Sequence, residues 1–134
     1  MQSVKMTAYI CTEIRMLFFL LCKLYMKDNR VLLITQTDLE TEFLVDCFFK
    51  FQYFLPHGSI NEYPECQPVL ITHKLKNLNQ ANVLLYYKFY VKYDDSHIDH
   101  VILWNVSELP FKIPLFVFKD NKWHKEEQIY SKYS

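Results

Sequence analysis

Glycine is almost missing from this sequence: among 134 residues, Gly58 stands alone. Phosphate-cradling loops of the G-x-G-x-x-G and Walker types need several glycines, because backbone N–H groups must approach the phosphate closely. A G-x-S-x-G nucleophile elbow needs two. The sequence therefore argues against a nucleotide-using enzyme and against a hydrolase elbow. Net charge is missing too, since 15 Lys and Arg balance 15 Asp and Glu. Direct nucleic-acid binding runs on an excess of cations that displace counterions from phosphate. A balanced chain fits indirect service to nucleic acid, through protein contacts, although a local basic patch stays open.

Paired cysteines are also lacking. Cys11, Cys22, Cys47 and Cys66 show no C-x-x-C spacing and fall in separate elements, as expected of reduced core thiols in the cytoplasm. No long apolar run is present. Met16 to Cys22 is the longest, well short of the ~20 residues that cross a bilayer. Glu13 precedes it and no small-residue cleavage site follows, so a buried helix is expected, with no membrane contact.

What the chain has in quantity is apolar and aromatic surface. Hydrophobic residues make up 51% and aromatic residues 17%, with 11 Phe and 10 Tyr. At this length about two-thirds of the unfolded surface can be buried, enough for a single domain, residues 1–134, without a metal or disulfide staple. Part of the aromatic surplus is expected outside, where rings anchor partners.

The patterns read as α/β. Ala8 to Cys11 suits a short buried strand, and Thr12 offers a cap for a helix over 13–27 with Ile14, Leu17, Phe18, Leu21 and Tyr25 on one face. Val31 to Thr35 is a continuous apolar run, the pattern of a parallel strand buried on both faces. Thr37-Asp38-Leu39-Glu40 has capping-box form and opens a helix through about Phe49, with Leu39, Phe43, Leu44, Cys47 and Phe48 inward. Pro56 and Gly58 end that unit. Pro68 to Thr72, Val83 to Tyr87 and His100 to Trp104 are further strands, with a polar turn between Asn77 and Asn82. Leu115 to Phe118 suits an edge strand, and a short helix is expected to close the chain after Lys119.

Three features invite chemistry, and each has a plainer reading. His97-x-x-His100 beside Asp94, Asp95 and Asp99 resembles a metal-ligand cluster. Zinc, however, asks for three or four convergent ligands, and a solvated acidic loop explains the run more simply. His57 fits an acid/base group or a hydrogen-bonded structural histidine, and Cys11 fits a strand-end nucleophile or a buried thiol. The structural reading is preferred for both, because no pairing motif accompanies either. No cofactor or metal is expected.

Three segments together resemble the chi subunit family of the bacterial DNA polymerase III clamp loader. Asn29-Arg30-Val31-Leu32-Leu33-Ile34 is similar to the family's G-K-R-V-L-V. Phe54-Leu55-Pro56-His57-Gly58, then Gln67-Pro68-Val69-Leu70-Ile71-Thr72, is similar to S-F-L-P-H-G and Q-P-V-L-L-T. Asn77-Leu78-Asn79-Gln80-Ala81-Asn82-Val83-Leu84 is similar to N-P-N-G-A-D-V-L, with Leu78 and Gln80 replacing Pro and Gly. The likeness covers about residues 8–86.

The resemblance implies a three-layer helicase-like Rossmann fold, a mostly parallel central sheet flanked by helices, without a nucleotide site. It implies a non-catalytic accessory subunit that links the clamp loader to single-stranded DNA-binding protein during replication, touching DNA mainly indirectly. The implied partners are the psi subunit or other clamp-loader subunits, and the acidic, hydrophobic C-terminal tail of single-stranded DNA-binding protein. Phe49, Phe51 and Phe54 would lie on the psi side. The family commonly ends in an A-R-x-R-W/Y-K-x-Y helix that receives the tail. Here Tyr130-Ser131-Lys132-Tyr133 keeps part of that spacing, and Glu126 and Glu127 stand where basic residues are the rule. Lys125, Tyr130, Lys132 and Tyr133 are the candidate tail-binding residues. Two other classes stay open: a small α/β enzyme using His57 or Cys11, and a direct binder of single-stranded nucleic acid that stacks bases on tyrosines near Lys88 and Lys92.

Overall fold

A computed structural model describes residues 4–51, 55–59, 63–107 and 112–129. Phe54, Tyr130, Lys132 and Tyr133 lie outside the described residues. The elements run β1 (Lys5–Ile10), α1 (Ile14–Met26), β2 (Val31–Ile34), α2 (Asp38–Lys50), β3 (His57–Gly58), β4 (Val69–Thr72), β5 (Val83–Tyr87), β6 (His100–Trp104), β7 (Ile113–Lys119) and β8 (Lys122–Ile129). They form one eight-stranded sheet in the order β3-β4-β2-β5-β6-β1-β7-β8. Every pairing is parallel except β7 with β8. The expected α/β class and mostly parallel sheet are both present.

The continuous apolar runs become the centre of the sheet. Every residue of β2, β4 and β5 is buried, which a parallel strand covered on both faces requires. Side chains then divide by alternation. Val31, Leu33, Val69, Ile71, Val83, Leu85, Ile102 and Trp104 face the core shared with α1 and α2. Leu32, Ile34, Leu70, Leu84, Tyr86, Val101 and Leu103 face the opposite core.

The strand order explains why both helices share one face. From β1 to β2 and from β2 to β3, the two connections that carry α1 and α2, the chain steps across the sheet in one direction. From β3 to β4, β4 to β5, β5 to β6 and β6 to β7 it steps back the other way. Right-handed crossovers place connections of opposite step on opposite faces. Packing agrees: Leu17, Phe18 and Leu21 of α1 and Leu44, Val45 and Phe48 of α2 lie on the first face. The second is covered by loop residues, among them Leu75, Leu78, Ala81, Phe89, Tyr90, Tyr93 and Ile98. Among the described residues no helix covers that second face. Phe18 meets Phe48 and Phe51 at ring distances of 5.6 and 4.7 Å. Burial of such a side chain stabilises the fold by roughly 1.5–3 kcal/mol.

Three expectations need correction. Leu39 and Phe43 do not point inward: they are 77% and 53% exposed. The buried stripe of α2 is Thr41, Leu44, Val45 and Phe48, and Thr41 is drawn in by its hydroxyl, 2.7 Å from that of Thr35. Residues 122–129 form strand β8 rather than a helix. Asp120 and Asn121 both adopt positive φ, 54° and 60°, the two-residue hairpin turn that matches strand twist. β7 is consequently an inner strand and β8 the edge. Cys66 is not a core thiol, since it is exposed on a short 3-10 turn, Pro64–Cys66.

The shortage of glycine leaves a mark on the backbone. Asp28, Tyr63, Gln80, Lys88, Asn105, Asp120 and Asn121 all hold positive φ, a conformation that disfavours side chains with a Cβ. Gln80, φ 52°, is the residue that stands where the resembled family has glycine. The turn around it is held by Asn77, whose side chain accepts from the Ala81 N–H at 2.8 Å and donates to the Ala81 carbonyl at 3.0 Å.

Candidate partner-binding groove

The groove follows from the path of α1. That helix leaves the end of β1 and runs across the sheet towards β2, so β7 and β8 on the other side of β1 stay uncovered by a helix on this face. Phe116 and Phe118 of β7 alternate onto it. The antiparallel register sets Trp123 opposite Phe118 and Lys125 opposite Phe116. Directly opposite residues share a face, so the Lys125 stem starts beside the aromatic rings.

Tyr9, Phe116 and Trp123 make the floor and one wall, with Trp104 and Phe118 packed against them. Tyr9 stacks on Phe116 at 5.3 Å and on Trp104 at 6.0 Å. Trp123 meets Tyr9, Phe118 and Trp104 edge-on at 5.4, 5.1 and 6.2 Å, the tilted geometry that ring quadrupoles favour. The other wall is Met16, Phe19, Leu20 and Lys23 of α1, and the enclosed space is about 350 Å³. Phe19 is 38% exposed, and Lys23 is exposed as well. Burial pushes the Tyr9 phenol up, against a hydrogen bond from Thr7, so the ring stays neutral. The outcome is an apolar trough with Lys23 in its lining and with Lys125 opposite Phe116 in the strand register on the β8 side. It suits an apolar side chain carried on an acidic segment.

A second cleft, of about 410 Å³, opens at the carboxyl ends of the strands. α/β sheets place ligands at this edge, where connections leave towards opposite faces. Cys11, Tyr87, Lys88, Trp104 and Asn105 line it from the strand ends, and Phe43 closes it from α2. Asn105 brackets Cys11: its side-chain oxygen accepts the Cys11 N–H at 2.7 Å and its amide donates to the Cys11 carbonyl at 2.6 Å. The ends of β1 and β6 are thereby pinned together. Lys88 lies over the Tyr87 ring, 5.1 Å from its centre.

The other residues singled out from the sequence are scattered. Phe49 is 63% exposed and meets His57 at 4.4 Å with its ring tilted by 44°, whereas Phe51 packs against the core at Phe18. These two do not form one patch. His57 is buried, with Nδ1 2.7 Å from the Leu55 carbonyl and Nε2 3.3 Å from that of Val45. A neutral ring donates through one nitrogen only, and the shorter distance fits Nδ1. His57 thus ties the end of α2 to the start of β3.

Cys11 directly follows β1, which lies five places along the sheet from β3, roughly 24 Å at the usual strand spacing. The structure does not bring the two together. Burial pushes the Cys11 thiol up, a hydrogen bond to the Glu13 backbone pulls it down, and the Glu13 charge adds a smaller upward push. The His97 backbone N–H donates to Asp95 Oδ1 at 2.8 Å and its Nδ1 lies 3.4 Å from the same oxygen, while His100 Nε2 faces the Thr7 hydroxyl at 3.0 Å, so these imidazoles have separate partners. Among the described residues no group of three or more His, Cys, Asp or Glu is placed to hold a metal. Tyr86 is buried, and Tyr90 and Tyr93 pack on the second core, which turns these rings away from a stacking role.

The groove residues Tyr9, Lys23, Phe116 and Trp123 escaped the sequence reading. Their signal was the alternation Phe116, Phe118, Trp123, Lys125 around an Asp-Asn pair. No family model matches the chain, and no curated protein matches it. Among the described residues no helix is long and apolar enough to cross a membrane.

Proposed function

We propose that this chain is a chi-type accessory subunit: a non-catalytic, cytoplasmic protein that links the DNA polymerase III clamp loader to single-stranded DNA-binding protein. The observation that carries the reading is the aromatic groove between α1 and the β7–β8 hairpin, flanked by Lys23 and Lys125. An acidic tail with an aromatic residue finds there an apolar seat for the ring and cations for the carboxylates. The seat supplies anchor energy, and the cations supply orientation and on-rate. Ring burial of about 1.5–3 kcal/mol and about 0.5–1.5 kcal/mol of aromatic contact supply part of the roughly 8 kcal/mol that micromolar-class binding needs; a second apolar side chain and the charge pairs must supply the rest, and ordering costs as well. The groove lies on a strand and a helix, so this seat replaces the terminal helix of the resembled family.

The same reading assigns the scaffold to the helicase-like Rossmann group, with the loops over Leu75–Leu78 and Phe89–Ile98 standing in for a third layer. Support comes from the parallel run β3-β4-β2-β5-β6-β1. It also assigns the surface around Phe49 to psi or another clamp-loader subunit. The exposure of that ring supports this assignment.

The test is retention of purified single-stranded DNA-binding protein on the immobilised full chain. Retention at low salt that disappears when the tail residues are deleted is expected. Retention that is indifferent to the deletion, or absent at low salt, contradicts the proposal.

A further inference from the structure

The outer face of α2 breaks the rule that apolar helix residues seek the core. Leu39 and Phe43 sit one turn apart, 77% and 53% exposed. Asp38, Glu42 and Asp46 form a parallel ridge at the same i, i+4, i+8 spacing, all exposed. Among the described residues Glu42 and Asp46 make no ion pair, and Asp38 has only His73 at 3.8 Å. Phe43 also closes the strand-end cleft of about 410 Å³, which Cys11, Tyr87 and Trp104 help to line. An apolar ridge, an acidic ridge and a hollow next to them thus occupy one continuous surface.

We propose that this surface docks a basic amphipathic helical segment of a partner protein. Ridges at i, i+4 spacing pack against the matching grooves of a second helix, and one helical turn of about 5.4 Å separates successive carboxylates. A partner with Lys or Arg at i, i+4 beside a row of Leu or Phe meets both ridges at once, with one apolar side chain seated in the cleft. Charge excludes the other occupants. An anionic membrane or a nucleic acid meets three carboxylates. A second copy paired α2 to α2 brings the same three carboxylates, and one that presents α1 instead is separated by the oligomeric state. The acidic tail proposed for the aromatic groove is repelled here, whereas α1 presents Arg15, Lys23 and Lys27 on its exposed side. The two helices therefore offer surfaces of opposite preference, as expected of a protein that joins two partners.

The experiment is a fluorescence-anisotropy titration of the full chain with a labelled leucine–lysine amphipathic helix and with its leucine–glutamate counterpart. The lysine peptide is expected to bind at least about ten-fold more tightly, with affinity falling as salt rises. Leu39→Ser/Phe43→Ser weakens binding about ten-fold or more, the effect of losing about 1.4 kcal/mol. Glu42→Lys/Asp46→Lys weakens it and removes the salt dependence. Leu39→Ser alone, at a position exposed enough to leave folding intact, lowers affinity in the same direction. Equal binding of the two peptides, or unchanged affinity in the Leu39→Ser/Phe43→Ser protein, overturns the proposal. So does a concentration-dependent dimer that this double substitution dissolves, because the face then belongs to a second copy.

Discussion

Asn105→Ala is expected to cost about 3–5 kcal/mol of folding stability. Asn105 receives the Cys11 N–H at 2.7 Å and donates to the Cys11 carbonyl at 2.6 Å, and Cys11 is 2% exposed. Each lost hydrogen bond is worth about 1 kcal/mol, and leaving a buried N–H unpaired adds about 1–3 kcal/mol. Asn105 also holds φ at 54°, where alanine is strained by about 1 kcal/mol and asparagine less. Asn105→Gly removes the same two bonds and relieves the strain, so it should recover about 1 kcal/mol relative to alanine. Urea unfolding of the three proteins, followed by far-ultraviolet circular dichroism, measures both differences. A domain of this size holds about 5–15 kcal/mol in total, so the midpoint should fall by a large fraction. A loss under about 1 kcal/mol for Asn105→Ala, or a glycine variant less stable than the alanine one, refutes the idea that this bracket holds β1 to β6.

Further outcomes follow from single positions. Gln80→Gly should stabilise the fold by about 1 kcal/mol, because Gln80 carries φ 52° without the freedom of glycine; a rise of a few degrees in Tm checks it. Burial and the nearby Lys5 charge hold the His100 imidazole below its ordinary 6.5, against a smaller pull from Asp99. The unfolded chain therefore takes up the proton first. Its contribution to stability should be constant above about pH 6.5 and decline as the pH falls below it, and His100→Gln should flatten that decline in urea midpoints. Phe49→Ala, at a ring 63% exposed, should change stability by less than about 0.5 kcal/mol and yet weaken retention of clamp-loader subunits in a pull-down.

The middle of the sheet was legible because Val31–Ile34, Val69–Thr72, Val83–Tyr87 and His100–Trp104 are apolar runs bounded by turn residues. A strand buried on both faces has no alternation to misread. α2 was harder, because its apolar residues make two overlapping stripes. The choice between them was decided by the Thr35–Thr41 hydroxyl contact, which no hydrophobic pattern reports. The hairpin β7–β8 was hidden by Pro110 and Pro114 and by the charged run after Lys122. Its Asp120-Asn121 turn is a hairpin signal without the usual glycine. Of the groove, only Lys125 had been singled out. Tyr9 reads as an ordinary core residue, and its partners Phe116 and Trp123 are more than a hundred positions away. The bond from Asn105 to Cys11 spans 94 positions, beyond the reach of any local pattern.

Calorimetry with a synthetic acidic peptide ending in phenylalanine reads the aromatic groove most directly. Micromolar-class binding at low salt, weakened by added salt, lost in Trp123→Ala and reduced several-fold in Lys23→Glu/Lys125→Glu, is the predicted result. Heat of binding that is unchanged in both variants, or no binding to a folded wild-type chain, contradicts the account.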